Sequence, residues 1–152
     1  MKLIAFNPQA IDKLIDNLSD DTLPEWGSMS PRKMLRHLVD IARISNGKIQ
    51  VEFANKQEDL PKLRHILYKE VPFPRGYSAP SQVEFLLKDD VAESLPELRQ
   101  ELIDELLFFE KHFDGNRVET NAVFGPLDRN DWIQFHRKHM SHHLTQFGLW
   151  EY

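Results

Sequence analysis

The chain contains no cysteine, which excludes disulfides, thiolate metal ligands and a cysteine nucleophile together. Any thiol chemistry would need a thiol supplied from outside. A basic excess is also missing: 24 acidic residues face 19 basic ones, for a net charge of -5. The lysines and arginines are scattered rather than striped, so a phosphate backbone finds no electrostatic footprint and nucleic acid is not an expected partner. Long apolar runs are absent too. Before Asn7 and Pro8 the chain offers Lys2 and four apolar residues, Leu3 to Phe6, far short of a signal-peptide core or a membrane span. A cytoplasmic protein is expected, without a membrane partner. No low-complexity stretch or internal repeat interrupts the sequence, and the H-E-x-x-H pattern of one large class of metalloproteases does not occur.

What is present suffices for one continuous core: 152 residues, 41% of them hydrophobic, predict a single domain over 1–152. Ile11, Leu14, Ile15 and Leu18 recur at helical spacing, so a short amphipathic helix is predicted from Pro8 to Leu18. Thr22 to Met29, with Pro24, Trp26 and Gly27, reads as a loop leading to Ser30-Pro31, where serine as N-cap and proline at the first helical position start a helix that Gly47 ends. An extended segment around Lys48 to Phe53 follows, then a charged helix from Leu60 to Glu70 with Leu63, Ile66 and Leu67 inward. The run VPFPRGYSAP at 71–80 holds three prolines and a glycine and is a long ordered connection rather than a helix. Leu95, Leu98, Leu102, Leu106, Phe109 and Phe113 mark a core helix from Ser94 to Phe113. After a loop with Gly115, Gly125 and Pro126, Asp128 caps a last helix that runs from Arg129 to Phe147 and stops at Gly148. With no alternating strand pattern, the economical architecture is an all-α four-helix bundle with a short N-terminal helix and long connections.

The feature that composition leaves to be explained is histidine. There are seven, and four of them, His136, His139, His142 and His143, fall within eight positions. Positions 139 and 143 lie one turn apart on one helical face, shared with Trp132, Met140 and Phe147, so both rings point inward. In the first long helix His37 borders the inward arc of Met34, Leu38, Ile41 and Ala42, and brings a third imidazole to the interior. Three neutral imidazoles from two helices meet the minimum protein ligation of an open metal site. Spacing alone leaves two alternatives open, because His136 shares the wheel position and pairs with His143 as readily as His139 does. His142 lies off the centre of the arc, at the rim. His65 and His112 read as surface or helix-end residues, the latter favoured by the helix dipole. Asp40, Gln146 and nearby carbonyls are candidates to orient the rings, and Trp26, Phe73, Tyr77 and Trp132 are candidate walls for a substrate.

Two segments, WGSMSPRKMLRHLVD at 26–40 and FGPLDRNDWIQFHRKHMSHHLTQFG at 124–148, with FPRGYSAP between them, resemble the DinB/YfiT-like superfamily, and within it a small branch of unassigned function. The resemblance spans most of the chain. It implies a four-helix bundle with up-down-down-up connectivity, commonly a homodimer, that holds one divalent metal through His37, His139 and His143, which chooses His139 over His136. Imidazole donors suit zinc or nickel as well as iron or copper, so three histidines do not select the ion. Relatives in the superfamily include transferases that use low-molecular-weight thiols, and the lack of cysteine is compatible with an external thiol. The expected function is therefore a metal-dependent hydrolase or thiol-dependent transferase, although no separate general base is visible and catalytic residues remain unassigned. A non-catalytic metal- or ligand-binding protein and a helical dimeric interaction module are the alternatives.

Overall fold

The computed structural model describes residues 2–88 and 90–152. They form a mostly helical molecule with one two-stranded sheet: α1 Pro8–Ile15, α2 Pro31–Ser45, α3 Leu60–Tyr68, α4 Leu95–His112, β1 Glu119–Asn121, β2 Gly125–Leu127 and α5 Arg129–Gln146. Two 3-10 segments, Gln57–Asp59 and Ser81–Leu86, lie in the connections. No helix among these residues is long and apolar enough to cross a membrane.

The helix starts follow from local chemistry. Each N-cap side chain accepts a hydrogen bond from a backbone N–H of the first turn, which would otherwise lack a partner: Asn7 from Ala10, Ser30 from Lys33, Ser94 from Glu97 and Asp128 from Asp131. Ser94 with Glu97, and Asp128 with Asp131, close reciprocal capping boxes. Proline at the start of α1, α2, α3 and α4 supplies a preset φ where no N–H partner is needed.

Two apolar clusters fill the interior. The first joins the N-terminal arm and α1 (Ile4, Ile11, Ile15) to α2 (Met34, Leu35, Leu38, Val39, Ala42), α4 (Leu98, Leu102, Leu106) and α5 (Met140, Leu144, Phe147). The second gathers Ile44, Leu67, Phe109, Phe113, Phe124, Leu127, Trp132 and Phe135 around the other end of α4 and α5. Along its exposed edge the α2–α4 seam is laced with charge: Arg36 meets Glu93 at 2.7 Å and Glu101 at 3.1 Å, and Glu105 meets Arg43 at 3.3 Å and Lys48 at 3.0 Å.

Three local expectations are corrected. The loop before α5 contains an antiparallel hairpin, with Glu119 opposite Leu127 and Asn121 opposite Gly125. Its strands are three residues each, too short for alternation to register, and Pro126 is tolerable because a two-stranded sheet has only edges. Asn121 Oδ1 holds the turn by accepting from Val123 N at 2.9 Å and Phe124 N at 3.0 Å. Residues 48–53 form no strand. Ile66 is 37% exposed rather than inward, since α3 buries only Leu67.

Gly47 ends α2 at φ +80°, and a Cβ there would sit 2.6 Å from His112 Cε1. His112 has nowhere to go, because its Nε2–H donates to Glu119 Oε1 at 2.7 Å. It is thus a half-buried link between α4 and β1, more than a helix-end cation. Gly47→Ala is expected to lower stability by about 1–3 kcal/mol, the cost of a strained left-handed residue, with displacement of His112 added to it. Urea unfolding measures the loss; a variant as stable as the parent would contradict the close approach.

Candidate metal centre

Helix α5 is buried around most of its circumference, wedged between the two apolar clusters, yet it carries many polar residues. Each buried polar group needs a partner or costs stability. Lys138 is fully buried, and its ammonium donates to Ile66 O at 2.6 Å and Lys69 O at 2.9 Å, capping the end of α3. Ser141 donates to Arg137 O at 2.7 Å and accepts from Ile4 N at 2.9 Å, which ties down the N-terminal arm.

Between these anchors, His139 and His143 face His37 of α2. The ring centroids are 4.8 Å apart for His37 and His139, 4.9 Å for His37 and His143, and 4.6 Å for His139 and His143. One nitrogen from each ring lies within 4.8 Å of the other two, and no Cys, Asp, Glu or further His joins the group among the described residues. His139 and His143 are buried and His37 half-buried.

The donor chemistry suits an ion. Burial pushes all three imidazoles toward the neutral, lone-pair-bearing form: His37 down to about 4, His139 and His143 well below the usual range. Neighbouring rings add to the burial effect on each, His142 on His37, His143 on His139, and His37 on His143. Metal–imidazole bonds of ~2.0–2.1 Å place two ligand nitrogens ~3–3.4 Å apart. His37 Nε2 and His139 Nε2 lie 2.9 Å apart, close to that range and equally suited to an N–H···N hydrogen bond, in which one of the two nitrogens carries the proton. A pair of ligand nitrogens as far apart as 4.8 Å must therefore draw in by more than about 1 Å on binding.

The surrounding groups decide tautomers. Gln146 Oε1 can only accept, so His143 Nδ1, 3.0 Å away, carries the proton and Nε2 is left as the donor to an ion. Gln146 is itself oriented by donating from Nε2 to Trp26 O at 3.0 Å. Gly27 lets the loop come this close, because a Cβ there would meet Gln146 Nε2 at 3.2 Å. His139 Nδ1 is buried without a partner. Coordination through Nε2 requires the proton on that atom, where it goes unpaired at a cost of about 1–3 kcal/mol.

His136, the alternative that spacing left open, does not join the group. Ser45 Oγ donates to Ala42 O at 2.8 Å, so it accepts from His136 Nε2–H at 2.8 Å. The ring is fully buried, stacked with Phe6 at 5.4 Å and close to Trp132 and Phe109. His142 sits at the rim, half-buried, edge-on to Trp26 at 5.6 Å and to His143 at 5.0 Å. His65 is exposed.

Of the proposed orienting groups, Gln146 reaches a ring and Asp40 does not: its carboxylate faces Arg36 at 3.8 Å and Arg43 at 3.9 Å on its own helix. Among the candidate walls, Trp132 is a core residue, fully buried and donating its indole N–H to Glu119 O at 3.0 Å. Tyr77 is 63% exposed. Phe73 packs on Phe135, which stacks on His139 at 5.1 Å. Phe135 was missed from sequence, although its place one turn before His139 was a usable signal.

The chain matches no protein-family model, no curated protein and no solved structure.

Burial holds His136 down at about 3, against an ordinary 6.5. The folded state therefore refuses a proton that the unfolded chain accepts, and the stability present above pH 6.5 drains away as pH falls from about 6.5 toward about 3. In metal-free protein, His136→Leu should flatten the decline of unfolding free energy across that window by about 1.4 kcal/mol per pH unit. Urea titrations at several pH values give the slopes; parallel declines would show that His136 titrates normally.

Proposed function

We propose that the chain is a divalent-metal protein in which His37, His139 and His143 hold one ion, built as a four-helix bundle of the DinB/YfiT-like type that its sequence motifs resemble. The observation that carries this reading is the convergence of three buried or half-buried imidazoles, all favoured in the neutral form, with no fourth protein donor in the group. Three protein ligands with a coordination position to spare are the pattern of catalytic rather than structural sites. Gln146 fixes the tautomer of His143, a refinement that a histidine filling a polar gap would not need.

The ion would supply Lewis-acid chemistry, activating water or an external low-molecular-weight thiol. The protein's own part is to hold the donors neutral, to orient His143 through Gln146, and to close one side of the site with Phe135. A metal-dependent hydrolase or thiol-dependent transferase is the reading we favour over a non-catalytic binding protein, because three protein donors leave a coordination position to spare. Zinc or nickel are the expected ions, with iron or copper chemically suited too. A cytoplasmic homodimer is part of the same reading.

Protein purified without a histidine tag should bind one zinc or cobalt ion per chain. His143→Ala should lose most of it while keeping its helical circular dichroism, and Gln146→Leu should weaken affinity roughly 10–100-fold. Fewer than about a tenth of an ion per chain after titration would overturn the metal reading. Turnover of an electrophile with added thiol, dependent on metal and absent in His143→Ala, separates the enzyme from the non-catalytic protein.

A further inference from the structure

The rim of the histidine group has a charged side that the metal reading leaves unused. Three features meet there: the Trp26 loop, the connection at 71–80, and the residues after α5. Arg75 lies with its guanidinium 3.9 Å above the Trp26 ring. Trp26 stands edge-on to His142, which stands edge-on to His143, and the Trp26 carbonyl holds Gln146, the partner of His143. Arg75 is thus three ring contacts from a candidate ligand, stacked on a loop that is hydrogen-bonded into the site.

Stacking occupies one face of a guanidinium and leaves its five N–H donors in the plane free. Among the described residues no carboxylate comes within ion-pair distance of Arg75. Tyr152, close enough to feel the Arg75 charge, is no carboxylate and leaves the fork unpaired; its own buried hydroxyl has no hydrogen-bond partner. The donor set of the centre contributes the second argument. A dication held by three neutral imidazoles keeps its full charge, and among the described residues no acidic one belongs to the group to compensate it. A buried, uncompensated charge is costly, so the open position favours an anionic occupant.

We propose that the small molecule taken up at this centre carries an oxyanion group, carboxylate or phosphate, which Arg75 binds through its planar donor fork while another atom of the molecule reaches the ion. Trp26 holds the guanidinium flat and sets the direction of the fork. The arrangement rests on the metal reading and specifies the class of ligand for that site.

The test uses cobalt-loaded protein and two probe series of increasing chain length, ω-mercaptoalkanoic acids and the matching ω-mercaptoalcohols, followed by the thiolate-to-cobalt absorption. At the length that spans from the ion to Arg75, the acid should bind about tenfold or more tightly than the alcohol, as charge-assisted hydrogen bonds to a fork require. Arg75→Gln should abolish that preference without changing cobalt content or the affinity of the alcohols. Equal binding of acids and alcohols at every length, or a preference that survives Arg75→Gln, would overturn the oxyanion site alone. Failure to bind cobalt at all would overturn the metal reading and this proposal with it.

Discussion

The structure depends on one constraint, the burial of a helix that is too polar to be buried cheaply. α5 carries Lys138, Ser141, Gln146 and the histidines at 136, 139 and 143 into the space between two apolar clusters. A polar group in that position must be matched by a partner or paid for in stability. Most of the longer-range connections of the chain are those matches. Lys138 takes the carbonyls that end α3, Ser141 takes the N-terminal arm, His136 takes Ser45 of α2, and Gln146 takes the Trp26 loop. His136 and His139 each keep a buried Nδ1 without a partner, and His139 is the exception whose other nitrogen meets only another imidazole.

That exception gives the histidine group its character. An interior built for stability alone would replace an unmatched pair of imidazoles by apolar residues of similar size, since a half-satisfied polar network is worse than none. Here His37 Nε2 and His139 Nε2 face one another across α2 and α5, and a chain of ring contacts runs from His143 through His142 and Trp26 to Arg75. Strain of this kind is what a ligand relieves: an ion gives three lone pairs a common partner, and an anion beside it would balance the charge.

Much of the framework was legible in the residues. The caps at Ser30, Ser94 and Asp128, the stop at Gly47 and Gly148, and the helical stripe from Leu95 to Phe113 are local signals, and each acts within one or two turns of chain. What escaped was either too short or too distant. Strands of three residues leave no period to detect. Trp132 was read as a wall because an aromatic on the histidine face resembles one, whereas the helix is enclosed on that side as well and the indole belongs to the core. Asp40 lost its expected part because Arg36 and Arg43, one turn to either side, face it first.

The amino acids by themselves determined that the chain is mainly helical, where its long helices begin and end, and that His37, His139 and His143 point inward, because capping and periodicity are properties of neighbours in sequence. Only the packing decided that His139 and not His136 meets His37, that Gln146 orients His143, and that Arg75 lies across Trp26. Those are relations between segments separated by tens of residues. They are set by how far two helices are rotated and shifted against each other, and a step of one turn on α5 exchanges one imidazole for the next while leaving the local pattern unchanged.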